Sequence, residues 1–144
     1  MPIQQRLVEE RLAESSVRFT GGRRQVVTAL ERADGPLSAA ELHDDLEGRV
    51  PVSSVYRTLA VLEAVGVVEP HHSVKGITRY EMAEWLAGHH HHLVCIDCGA
   101  VEDIELPHGL ESQLEALVGQ VSELSSFSAS GHSLEVDGLC TRCA

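Results

Sequence analysis

The sequence predicts an α+β fold in two parts: a winged helix-turn-helix domain over residues 1–84 and a small α/β metal-binding domain over residues 85–144. Three observations predict it. Four helical patterns, separated by caps and breakers, are followed by two short β-prone runs. Two Cys-x2-Cys pairs, Cys95/Cys98 and Cys140/Cys143, flank a further amphipathic run. The charge also shifts between the parts: residues 1–84 carry ten Arg and Lys against thirteen Asp and Glu, whereas residues 85–144 carry one against nine.

At 144 residues and 43% hydrophobic content the chain can build one ordinary core or two small ones. Its net charge of -11 rules out a polybasic coat. A local basic cluster can still hold phosphate, because attraction is screened within about 8 Å at physiological salt. No stretch approaches the roughly 18 apolar residues of a membrane span, and "MPIQQRLVEERLAES" is amphipathic, without the apolar centre of an export signal. A cytoplasmic protein with no membrane partner is expected. In a reducing compartment, paired Cys-x2-Cys motifs are more often metal ligands than disulfides.

In the first part, "QQRLVEERLAE" sets Leu7, Val8 and Leu12 near one face of a short helix. Thr20 is placed to cap "GGRRQVVTALERA", whose buried stripe is Val26, Val27 and Leu30. Gly35 and Pro36 stop that helix, and Ser38 opens "SAAELHDDLE" as N-cap, with Glu41 completing a capping box. After "GRVP", the run "VSSVYRTLAVLEAVG" turns Val55, Leu59, Leu62 and Val65 inward and ends at Gly66. The β-prone runs "VVEP" and "ITRYEM" flank "HHSVKG", which reads as a hairpin.

A helix that presents Ser54, Tyr56, Arg57 and Thr58 near its start suits the DNA major groove. Arginine donates twice to guanine, while hydroxyls and an aromatic edge reach phosphates or a thymine methyl. Arg18, Arg23, Arg24 and Lys75 are candidate backbone anchors. The competing reading is that these are ordinary solvated polar faces.

In the second part, "HHHHLVCIDCGAVEDIEL" alternates as a strand, a turn at the Cys pair and a second strand. The two-residue period sends His89 and His91 to one face and His90 and His92 to the other, so one run can serve two metal sites. The helix "HGLESQLEALVGQV", with Leu110, Leu114, Leu117 and Val121 inward, and a strand "GHSLEV" complete the domain. Cys95, Cys98, Cys140 and Cys143, the two pairs 41 residues apart, offer the four thiolates of a closed structural zinc site. In the same half, Glu111 and His132 are the residues that remain to complete a nitrogen and oxygen site. On the other face, His90 and His92 need partners from the wing side, where Glu69, His71, His72 and Glu81 lie. His43 and His108 read as surface residues.

The order of "FTGGRRQVV", "SVYRTL", "HHHHLVCIDCG", His132 and a terminal Cys-x2-Cys resembles the ferric uptake regulator family over nearly the whole chain. The resemblance implies a dimeric, metal-responsive repressor that binds operator DNA, not an enzyme, and makes the second domain the dimerisation domain. It implies structural zinc at Cys95, Cys98, Cys140 and Cys143. A second site in the dimerisation domain falls on His89, His91, Glu111 and His132, with one residue inserted after "CIDCG" to place Glu111. An interdomain sensor falls on Glu81, His90 and His92, base reading on Tyr56 and Arg57, and minor-groove contact on Arg18.

This chain departs from the family pattern at two places. "DGPLSAAEL" has Pro36 where many iron sensors carry a histidine, leaving Glu69, His71 or His72 as candidates for the remaining sensor ligand. "YEMAEWLAG" lacks the extra cysteine of many zinc sensors, while His71 and His72 match the wing histidines of nickel-sensing relatives. The regulatory ion is therefore ferrous iron or zinc, with nickel and manganese also compatible, since imidazole and carboxylate accept all four. Alternatives are a peroxide-sensing repressor, disfavoured by Glu81 in place of aspartate; a metal-indifferent DNA-binding protein whose zinc is purely structural; and a hydrolytic metalloenzyme, which leaves the helix-turn-helix unexplained.

Overall fold

The structure, a computed structural model, describes residues 3–73 and 75–144 and parts into two units between His89 and His90. The first unit opens with α1 (Ile3–Glu14), where Val8 and Leu12 are fully buried. Leu7 was expected beside them but is 37% exposed. The buried stripe follows the i, i+4 pair, and Leu7 lies about 100° round the helix from Val8. Helix α2 (Gly21–Arg32) starts where the Thr20 hydroxyl accepts from the Arg23 amide at 3.3 Å, and it buries Val26, Val27 and Leu30.

A two-residue strand that the sequence did not suggest, β1 (Leu37–Ser38), precedes α3 (Ala39–Asp45). Ser38 serves both elements. Its hydroxyl accepts from the Glu41 amide at 3.1 Å, and its own amide donates to Glu41 Oε1 at 3.0 Å, closing the capping box. Helix α4 (Val52–Ala64) then buries Val55, Thr58, Leu59 and Leu62, and Gly66 ends the turn that follows with φ +77°. Val65 packs against the core while partly exposed. Strands β2 (Val68–His72) and β3 (Thr78–Met82) form the antiparallel wing in the order β1-β3-β2. His71 and His72, expected in the turn, extend β2; the wing closes where the Ser73 amide donates to the Ile77 carbonyl at 3.1 Å. A short helix, α5 (Glu84–Ala87), ends the unit; its Trp85 donates Nε1 to the Gly66 carbonyl at 2.7 Å beneath the Arg11 guanidinium.

Glu41 joins two elements, because its Oε1 also accepts from Arg79 Nε at 3.0 Å, and Arg79 is buried. Burial pushes the Glu41 carboxyl up, but the hydrogen bonds from Ser38 and the Arg79 charge outweigh it and hold the group below its usual value. A depressed carboxyl stabilises the fold above its unfolded pKa, near 4.5, and loses that contribution as pH falls through the lower folded value. We expect Glu41→Gln to cost about 1 kcal/mol at neutral pH, the scale of a helix cap. The gap from wild type, read by urea unfolding, should be constant above about pH 5.5 and close in stronger acid.

The second unit is a three-stranded sheet, β5-β4-β6, made from β4 (His91–Cys95), β5 (Val101–Ile104) and β6 (Glu135–Gly138). β5 runs antiparallel to β4 and pairs Asp103 with His92; β6 runs parallel, reached through α6 (His108–Leu124). The last strand lies later than "GHSLEV" suggests, which leaves His132 in the preceding loop. Helix α6 departs most from expectation. Leu110, Leu117 and Val121 are 51%, 53% and 54% exposed, so its apolar stripe is uncovered in the single chain. Among the described residues, no helix is long and apolar enough to cross a membrane.

Candidate metal centres and nucleic-acid interface

Two tight turns build the thiolate cluster. Cys95 ends β4, and the Gly99 amide donates to its carbonyl at 2.9 Å with Gly99 at φ +79°. That left-handed residue folds Cys98 back beside Cys95. At the other turn the Cys143 amide donates to the Cys140 carbonyl at 3.0 Å. The parallel pairing of β6 with β4 carries the second turn to the first, and all four Sγ atoms lie within 4.8 Å of one another. Cys98 Sγ and Cys140 Sγ are 3.8 Å apart. A tetrahedral zinc with ~2.3 Å bonds requires an S–S edge of about 3.8 Å. The amides of Cys140 and Cys98 donate to Cys95 Sγ at 3.4 and 3.5 Å and push that thiol down to about 6. Hydrogen bonding with the Cys140 thiol, together with burial, pushes Cys143 up instead. Four sulfurs this close cannot all ionise alone, so the set suits a dication.

A second cluster is built from the other end of β4. His91, 1% exposed, turns Nε2 toward Glu111 Oε2 at 2.9 Å, and His132 Nε2 meets Glu111 Oε1 at 2.8 Å. The two imidazoles stack with centroids 5.4 Å apart. Strand β4, the first turn of α6 and the loop before β6 each contribute one donor. Two imidazoles and a carboxylate around one point are a borderline donor set for a first-row divalent metal. His89 is the last residue of the first unit, where its Nδ1 meets the Glu84 carboxylate.

Strand alternation sends the next histidines the other way. His90 Nε2 and His92 Nε2 approach Asp103 Oδ1 at 3.6 and 3.3 Å, with their rings edge to face at 5.1 Å. Asp103 was missed in the sequence. The signal was the β4–β5 register, which sets it directly opposite His92. Glu81 is buried in β3 of the first unit, opposite Glu69. Glu69, His71 and His72 join no donor cluster among the described residues; His72 Nδ1 lies 3.3 Å from the Thr78 hydroxyl.

The candidate DNA contacts divide. Tyr56 is 59% exposed and Arg57 is exposed, both in the first turns of α4, with Ser54 partly exposed beside them. Thr58 is corrected: at 4% exposure it belongs to the inward stripe with Val55 and Leu62 and cannot reach a base. Arg24 is also committed elsewhere, 3.3 Å from Glu9 Oε1 and stacked 4.3 Å over Phe19. Arg18 is exposed, and its carbonyl accepts from Arg23 Nη1 at 2.7 Å. Lys75 stands exposed in the wing turn.

The family model described as "Ferric uptake regulator family" matches residues 14–136. The Bacillus subtilis ferric uptake regulation protein is 33% identical over 141 residues, 94% of this chain and 91% of the relative. The Mycobacterium tuberculosis zinc uptake regulation protein is 33% identical over 135 residues, covering 92% and 98%. The solved Vibrio cholerae ferric uptake regulator matches with a TM-score of 0.70 at 25% identity, covering 92% of this chain and 98% of that one.

Proposed function

The chain belongs to the ferric uptake regulator family, and from that premise we propose that it is a metal-dependent transcriptional repressor acting as a homodimer in the cytoplasm. The observation that carries the reading is the division of labour along one strand. His91 faces Glu111 and His132, His92 faces Asp103, and Cys95 joins the thiolates, so "HHLVC" feeds three chemically different donor sets. Cys95, Cys98, Cys140 and Cys143 would hold a permanent zinc. His91, Glu111 and His132, with His89, would hold an ion within the dimerisation domain.

His90, His92 and Asp103 are the reporting donors in this reading, with Glu81 recruited from the DNA-binding unit as the resemblance implies. Ligands drawn from both units would bias the chain toward arrangements in which they share one ion. If that population sets the dimer's two α4 helices about 34 Å apart, both enter successive major grooves and repress transcription. Tyr56 and Arg57 would read bases there, while Arg18, Arg23 and Lys75 hold phosphates. The relatives regulate iron and zinc uptake by name, and the imidazole and carboxylate donors suit either ion, with manganese and nickel also compatible.

The test is a fluorescence-anisotropy titration on the protein's own promoter region, with and without each metal, after mild chelation that spares the thiolate zinc. Affinity independent of added metal would replace this reading with the purely structural one. The uncovered stripe of α6 supports the homodimer. Leu117→Glu should give a monomer by analytical ultracentrifugation, with folded units and operator binding reduced to the weak affinity of a single half-site.

A further inference from the structure

Beside the start of α4, the recognition helix of that reading, lies a cleft of about 430 Å³ whose charged lining is Arg23, Arg49 and Arg57, with the Thr20 and Ser54 hydroxyls. We propose that this cleft seats a phosphodiester of the operator backbone and that Arg49, outside the recognition helix and absent from the sequence-derived contacts, is the residue that fixes it. The inference rests on the DNA-binding reading above and adds a backbone contact to it.

Among the described residues no carboxylate lines the cleft, although the chain as a whole carries a net charge of -11. Three guanidiniums gathered without a countercharge favour an anion from outside the chain. Arg49 is placed for this by the turn between α3 and α4. Its Nε donates to the Leu46 carbonyl at 3.0 Å, which anchors the root of the guanidinium while the residue stays exposed. Its terminal nitrogens make no other bond among the described residues. Arg23 is oriented similarly by the Arg18 carbonyl. The planar fork matches two oxygens of one phosphate, which a lysine supplies only as a point charge. The adjoining cleft between α2 and α3, whose wall Arg49 shares, provides a contrast. Asp45 contributes a carboxylate to its wall, and Arg24 is already paired with Glu9.

A backbone contact carries no sequence information, but it releases counterions and so sets the salt slope. Wild type and Arg49→Gln, metal-loaded, are compared on the promoter duplex and a scrambled duplex at 50 and 200 mM salt. One lost phosphate lowers the slope by about 0.9, so the affinity ratio of wild type to variant should shrink about 3.5-fold between those salts. The loss should be similar on both duplexes, and Arg49→Lys should recover the slope. Millimolar inorganic phosphate at fixed ionic strength should leave duplex binding unchanged. An unchanged slope in Arg49→Gln, a loss confined to the promoter duplex, or competition by free phosphate each overturns the assignment. If wild type binds neither duplex with metal, the repressor reading fails and the cleft's role fails with it.

Discussion

Cys95→Ser should release the zinc and unfold residues 90–144 while the helix-turn-helix unit stays folded. The argument is the distribution of buried apolar surface. The core cluster, from Val8 through Leu59 to Leu86, lies wholly in the first unit. The second unit's buried side chains are those of Val94, Cys95, Val101 and His91. Within the chain, two valines at about 1.5–3 kcal/mol each are a small core for a unit of this size. Structural zinc contributes about 10–16 kcal/mol in small domains near neutral pH, more than two buried valines supply together. Cys95 is the sulfur to test, because it is buried and takes amides from both turns. Hydrogen exchange should show fast exchange across β4, β5 and β6 and unchanged protection in α2 and α4, with zinc lost in elemental analysis. Stoichiometric zinc and slow exchange of β4 in the variant would refute the account.

The same distribution explains what was legible in the sequence. Caps at Thr20 and Ser38 and the stripe Val55, Leu59, Leu62 follow from local chemistry and helical period, and both caps form as expected. The opposite directions of His91 and His92 follow from strand alternation. What escaped depends on partners distant in sequence. Periodicity marks Leu110, Leu117 and Val121 as one apolar face but cannot say that they stay about half exposed in the single chain. Asp103 beside His92 is a matter of register between two strands. Thr58 reads as a polar groove contact in isolation, but its place three residues after Val55 and four before Leu62 turns it inward.

The double variant His90→Ala, His92→Ala should lose metal-dependent operator binding while keeping the dimer and one structural zinc per chain. Moving a population from about 1:99 to 99:1 takes roughly 5.5 kcal/mol of differential metal affinity, a factor of about 10⁴. Both imidazoles that face Asp103 are gone in this variant, so the remaining carboxylates bind a first-row ion too weakly to supply that difference. The variant should therefore bind the operator with the affinity of metal-free wild type, whatever the ion concentration. Asp103→Asn separates ligand from bystander. If Asp103 bonds the ion or orients His92, metal affinity should fall about 10–100-fold with maximal repression retained at high metal. His91→Ala is the control on the opposite face, removing a donor beside Glu111 and leaving the His90, His92 and Asp103 set whole. If the double variant still responds to metal as wild type does while His91→Ala does not, the reporting donors lie on the Glu111 face and the assignment of the two histidine faces is reversed.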